Sequence, residues 1–249
     1  APALERVVQR SGGGLGAVIG PNLAGRTRDW FSVPFSGAYA ALALVALLSL
    51  SVLSFIAFPP LPKPDPARPG RPLREIVRQP VYIVAVASAA LAWGLMNLWI
   101  SPTPMAMAQC RHPFESTALV LEWHVLGMFV PSFFTGHLIK RFGVLRIMSA
   151  GVVLNLLCVA IALSGVELMQ FLWALLLLGV GWNFLYVGGT TLFTEAYRPE
   201  EKTTAQASMD FCVLSTTAVS SFASGALITT QGWTWLNWGS LLPIGLVAI

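Results

Sequence analysis

Apolar positions in this chain do not alternate with polar ones. They gather into eight long stretches, cut by short loops that hold most of the charge and many of the Gly and Pro residues. The stretches cover about 7–25, 33–58, 80–105, 116–138, 145–165, 168–193, 204–229 and 233 onward. Most are 19 residues or longer. At 1.5 Å per residue that length crosses a hydrocarbon layer of roughly 30 Å. The pattern predicts an all-α polytopic membrane protein of eight transmembrane helices, the last meeting Ile249 before it has clearly finished. With 55% hydrophobic and 10% charged residues, the bulk composition demands the same solvent.

Charge changes the picture by its placement. If the chain starts on the cytoplasmic side, that side holds Arg6, Arg10, Lys63, Arg68, Arg71, Arg74, Arg78, Lys140, Arg141, Arg146, Arg198 and Lys202. The other side holds Arg26, Arg28 and Arg111. Twelve against three is the positive-inside asymmetry. The net charge of +4 is therefore a topology signal and not a nucleic-acid footprint. Cys110, Cys158 and Cys212 form no disulfide or metal pattern. The first residue is Ala1, and 1–6 reads as a loop entering a helix, so the chain is expected to begin within a longer protein.

One loop stands apart. Residues 59–79 are proline-rich and carry five of the basic residues, which forbids a continuous helix and favours an extended linker. The chain divides into a two-helix piece (1–58), this basic cytoplasmic linker (59–79) and a six-helix piece (80–249, its last helix expected to be truncated). Topology alone leaves two readings: the later part of a twice-six transporter, or an eight-helix protein with one long loop.

Two motifs bear on that choice. Gly12, Gly16 and Gly20 recur every fourth residue before Pro21 and then Ala24-Gly25, clearing one helix face for close backbone approach. Between the fourth and fifth segments runs Gly136-His-Leu-Ile-Lys140-Arg141-Phe-Gly143-Val-Leu-Arg146, a tight basic turn between two glycines. This string resembles the G-x-L-x-D-R-x-G-R-[RK] loop of the major facilitator superfamily, in its second-half copy. The glycine string is similar to that superfamily's fifth-helix G-x3-G-P-x2-G-G motif. Lys140 stands at the usual aspartate, Val144 at a basic position, and Ala24 at a glycine. The 198–202 string Arg-Pro-Glu-Glu-Lys resembles the corresponding loop further on. The resemblance implies helices five to twelve of a twelve-helix fold. Residues 123–143, 178–190 and 198–211 resemble a bacterial branch that includes riboflavin uptake permeases along with members of unassigned substrate.

That fold would line its pathway here with the 80–105, 116–138, 168–193 and 204–229 helices, and helical periodicity selects faces independently. Trp93, Asn97 and Ser101 share one face; Trp182, Asn183, Tyr186 and Thr190 cluster on another. Aromatics beside amides suit a flat organic ligand, and equally suit core packing. Gln206, Asp210, Thr217, Ser221 and Ser224 form a stripe, in which a carboxylate should face protein or water. Glu122 and His124, two residues apart, cannot share a site. Glu122 falls near the outer end, as an interfacial carboxylate would, while His124 shares a small, kinked face with Gly127, Pro131 and Thr135. Asp210, His124 and Glu122 are the proton-coupling candidates, each with a structural role as the alternative.

The resulting expectation is a secondary active transporter working by alternating access in the bacterial inner membrane, a permease or symporter for a small-molecule solute. Riboflavin-like uptake with proton coupling competes with efflux of hydrophobic compounds and with a non-transporting sensor on the same scaffold. No Walker A, G-x-S-x-G or H-E-x-x-H string occurs, so neither direct ATP use nor an enzyme is expected. No catalytic or metal set, cofactor or nucleic-acid partner is expected. The lipid bilayer is the partner, and the completed protein is expected to be a monomer.

Overall fold

A computed structural model describes residues 19–20, 22–55 and 70–248. Its helices are α1 (Ser36–Ser54), α2 (Leu73–Ile76), α3 (Pro80–Ile100), α4 (Thr103–Gln109), α5 (Phe114–Phe129), α6 (Ser132–Phe142), α7 (Val144–Ser164), α8 (Leu168–Phe193), α9 (Lys202–Thr230) and α10 (Gly232–Ala248). Residues 22–27 are also helical, and among the described residues there is no strand. Of the glycine string, Gly12, Gly16 and Pro21 lie outside the described residues, as do 59–69 of the linker.

Length and composition make five spans among the described residues, and six when the bent pair α5 and α6 counts as one. The α10 helix, at 17 residues, lies on the eighth expected stretch and is shorter than those spans. Most of the 7–25 stretch lies outside the described residues. Two expected helices differ in detail. Expected as one helix over 80–105, the third segment breaks at Ser101–Pro102 and continues as α4, so its span runs Pro80–Gln109. The expected 116–138 helix is broken at Val130–Pro131 and bends by 41°. Proline supplies no N–H and its ring displaces the preceding turn, which is enough to account for both breaks.

The ends are set locally. Proline occupies the first turn of α3 and of α4, where its missing N–H costs nothing. The start of α8 is closed by a capping box in which the Glu167 N–H donates to Gln170 Oε1 at 2.9 Å. Gly143, at φ 90°, turns α6 into α7 in a conformation that side-chain-bearing residues avoid.

α8 is the centre of the bundle, with α3, α5 and α7 packed around it. Small residues permit this closeness, since lipid offers no hydrophobic force to hold helices together. A Cβ on Gly127 would lie 2.7 Å from the Leu176 carbonyl, and one on Gly179 would overlap the His124 carbonyl. Across the α7–α8 contact a Cβ on Gly151 would lie 2.9 Å from the Gly181 carbonyl and one on Gly181 3.0 Å from the Gly151 carbonyl, and one on Gly189 would lie 2.9 Å from the Ala85 carbonyl of α3. By contrast, α1 is exposed along nearly its whole length. Its start is tied to α5 by Phe35, edge-on to Phe114 at 6.0 Å, with the Arg28 guanidinium over both rings at 5.0 and 5.3 Å.

Candidate functional site

The α3 and α8 faces bring three predicted aromatics together. Trp182 stacks on Tyr186, and Trp93 meets both rings edge-on at 5.2 and 5.9 Å between centroids. Trp182 is buried, whereas Trp93 and Tyr186 stay partly exposed. The Trp182 indole N–H is buried with no hydrogen-bond partner among the described residues. Below the cluster, Thr190 turns its hydroxyl back to the Tyr186 carbonyl at 2.8 Å.

The two amides beside these rings are engaged elsewhere. Asn97 on α3 donates to Ser221 Oγ at 2.6 Å, Ser220 Oγ at 3.1 Å and the Thr217 carbonyl at 3.3 Å, and accepts from Ser101 at 3.2 Å. Four predicted pathway residues (Asn97, Ser101, Thr217 and Ser221) thus form one polar seam joining α3 to α9. Tyr82, which sequence reasoning missed, extends it with a 2.6 Å hydroxyl contact to Ser208.

Asn183 is fully buried on the opposite side of α8. Its amide nitrogen donates to the Met128 carbonyl at 2.6 Å and to Ser132 Oγ at 2.5 Å, while Thr135 Oγ1 donates to its oxygen at 2.7 Å. Those partners flank Pro131, so one side chain satisfies the backbone group and hydroxyls left open by the α5–α6 break. His124 is also enclosed, with Nδ1 2.8 Å from the Leu175 carbonyl and Nε2 without a partner among the described residues. The face it shares with Gly127, Pro131 and Thr135 is buried, and the carbonyl and glycine contacts of that face go to α8.

The two carboxylates lie apart. Asp210 is exposed on α9 and accepts from Gln206 Nε2 at 2.9 Å. Its neighbours Phe211 and Leu214 are exposed as well, at 72% and 68%. Glu122 lines a cavity of about 390 Å3 with Asn22, Arg26, Arg28, Asp29 and Glu115. The sequence places Glu122 near the outer end of its helix, and the arginines that line the cavity with it come from a segment about ninety residues earlier. Lys140, Arg141, Gly143 and Arg146 of the basic turn are exposed and Gly136 is half-buried, with Arg141 over the Phe142 ring at 5.2 Å.

A further ionic contact lies at the other end of the bundle. Arg71 and Glu201, 130 positions apart, form an ion pair at 2.8 Å in which the carboxylate is 1% exposed. Glu201 raises the Arg71 pKa through this hydrogen bond. Periodicity could not find it, because both partners lie between helices.

The chain as a whole is similar to known proteins. The chain is 39% identical over 243 residues to the riboflavin transporter RfnT of Brucella anthropi, covering 96% of this chain and 61% of that protein. It is 29% and 28% identical over 170 residues to the MFS-type transporters YddS and YdeG of Bacillus subtilis. Those matches cover 67% of this chain and 39% and 40% of the relatives. The chain therefore spans 61% of the length of RfnT and matches 39% and 40% of the other two curated relatives. In three dimensions it resembles the crystal structure of a bacterial homologue of the iron transporter ferroportin in an outward-facing state. The TM-score is 0.59 at 18% identity, covering 92% of this chain and 58% of the other. Residues 103–249 match the Major Facilitator Superfamily, and with the spans described above they establish a multi-pass membrane protein. The chain belongs to the major facilitator superfamily.

Proposed function

We propose that the full-length protein is a secondary transporter that imports a flat heteroaromatic solute, riboflavin or a close chemical relative, across the bacterial inner membrane by alternating access. The observation that carries the substrate class is the Trp93–Trp182–Tyr186 cluster, which offers partly exposed ring surface beside the polar α3–α9 seam. Similarity to RfnT of Brucella anthropi supports the same class. On this reading Trp93 and Tyr186 touch the solute, with Ser101, Thr190, Thr217 and Ser221 along the polar wall. Asn183 and His124 fasten α5 and α6 to the far side of α8. Binding at the junction of two related halves is what the fold offers a solute, and ring faces give it orientation.

Residues 1–58 supply the last two helices of the first half, 59–79 the cytoplasmic linker, and 80–249 the second half. Asp210, exposed on a pathway helix, is the leading proton-coupling group, with Glu122 second. No enzymatic step is needed in this scheme, and a monomer suffices.

The test is riboflavin uptake by cells expressing the full-length reading frame, with and without a protonophore. Saturable uptake that collapses with the proton gradient is the expected result. Uptake equal to the empty-vector control, with the protein present in the membrane, removes the riboflavin assignment and makes efflux of hydrophobic compounds the next assay.

A further inference from the structure

The Glu201 carboxylate is buried at the turn between α8 and α9, and four N–H donors converge on it. Arg71 supplies its backbone N–H and Nε–H to Oε1 and Nη2 to Oε2, each at 2.8 Å, and the Arg198 backbone N–H reaches Oε2 at 2.9 Å. A fork-shaped, charge-assisted contact of this kind is strong and directional. It also differs from an exposed ion pair, because losing one partner strands a buried charge.

The same stretch is anchored again eight residues later. Gln79 Nε2 donates to the Ala196 carbonyl at 2.8 Å, and Arg71 Nη2 reaches the same oxygen at 3.2 Å. Between these anchors α2 sinks Ile76, 0% exposed, into the core. Gly70 passes so close that a Cβ there would lie 3.0 Å from Glu201 Cγ. Arg74 and Arg78, by contrast, are exposed. One arginine of the three in this stretch is built into the fold.

We infer that Arg71 and Glu201 are a positioning pair that clips the end of the linker to the α8–α9 turn, so that the entry to α3 and the cytoplasmic ends of α8 and α9 move as one body. In a transporter whose halves rock about a central site, a linker fastened there has less free length between the halves. The turnover rate then depends on the clip, and the affinity for solute does not. This consequence for flux rests on the transport reading; the clip itself does not.

Limited proteolysis separates the two. Lys63, Arg68 and Arg71 each precede proline and resist trypsin, which leaves the bonds after Arg74 and Arg78 as the cleavable ones in the linker. In inside-out vesicles holding the full-length protein, the wild type should be cut slowly after Arg74. Glu201→Gln and Arg71→Gln should each be cut at least about tenfold faster, because opening the clip exposes the bond. The double variant should be no faster than either single one, and Arg71→Lys, which keeps the charge but loses the fork, should fall between. The maximal riboflavin flux should fall severalfold in Glu201→Gln with KM unchanged. Cleavage after Arg74 as fast in the wild type as in Glu201→Gln overturns the inference, as does additivity in the double variant. Absence of saturable riboflavin flux in the wild type removes the riboflavin assignment and leaves the clip to stand or fall on the proteolysis.

Discussion

Trp182 lies on Tyr186 with 4.9 Å between ring centroids and 18° between ring planes, a stacked pair within a single helix. Trp93 closes the pair from α3 at nearly a right angle to both. Stacked and edge-on contacts of this sort contribute about 0.5–1.5 kcal/mol each beyond their buried area. A planar solute that adds a ring to the group gains a contact of the same size. Tyr186→Ala and Trp93→Ala should therefore raise KM for riboflavin by roughly 2- to 10-fold each. Tyr186→Phe should stay near wild type in stacking. Quenching of flavin fluorescence by the purified full-length protein checks this without transport. Equal quenching by Tyr186→Ala and the wild type would place the ligand elsewhere.

Asn183 should act on stability more than on affinity. Its amide bonds Met128, Ser132 and Thr135 around the Pro131 break, where no water is available to replace it. Leaving one such buried group unpaired costs about 1–3 kcal/mol. Asn183→Ala and Asn183→Leu are expected to lower the melting temperature in detergent by several degrees, with Thr135→Val milder because it removes one donor. Riboflavin KM measured on surviving protein should stay within about twofold of wild type, well under the 1.4 kcal/mol that makes a decade. A large rise in KM with unchanged melting would put Asn183 in the binding site.

How far the sequence carried these conclusions follows from physical range. The spans were legible because crossing a bilayer imposes length and apolarity on contiguous residues. The basic Gly136–Arg146 turn and the α8 aromatics were legible because spacing within one helix fixes a face. Partnerships between helices were not. Asn97 and Asn183 look alike as amides beside pathway aromatics, yet one ties α3 to α9 and the other fills a helix break. Glu122 looks interfacial until Arg26 and Arg28 arrive from a segment remote in sequence. Arg71 and Glu201 belong to no periodic pattern, and only the fold brings them together.

The glycine contacts of α8 make a steric prediction with its own control. A methyl group at Gly179 would meet the His124 backbone, which cannot yield as a side chain does. Overpacking of this type costs about 1–3 kcal/mol or more, and here it would spread α5 from α8. Gly179→Ala should reduce membrane-inserted protein and its melting temperature, and Gly179→Leu should abolish both. Gly225 on α9 has no atom of the described residues within 4 Å of its Cβ position, so Gly225→Ala should match the wild type in both measurements. Similar losses at the two positions would mean that close α5–α8 approach does not set the stability of the bundle.

Asp210 and Glu122 separate coupling from gating. Asp210 is exposed on α9 and accepts from Gln206, one turn away, so replacing its carboxylate removes a charge without dismantling the bundle. Glu122 lines the outer cavity with Arg26 and Arg28, away from the α9 stripe that carries Asp210. Asp210→Asn should therefore abolish uphill, protonophore-sensitive accumulation of riboflavin while leaving exchange of labelled for unlabelled riboflavin near wild type. Glu122→Gln should retain uphill accumulation, with a lower rate at low outside concentration. Accumulation and exchange measured side by side in proteoliposomes of the full-length protein decide the matter. If Asp210→Asn still concentrates riboflavin against its gradient, Asp210 is a helix-surface partner of Gln206. If Glu122→Gln alone loses accumulation, the coupled proton travels by the outer cavity.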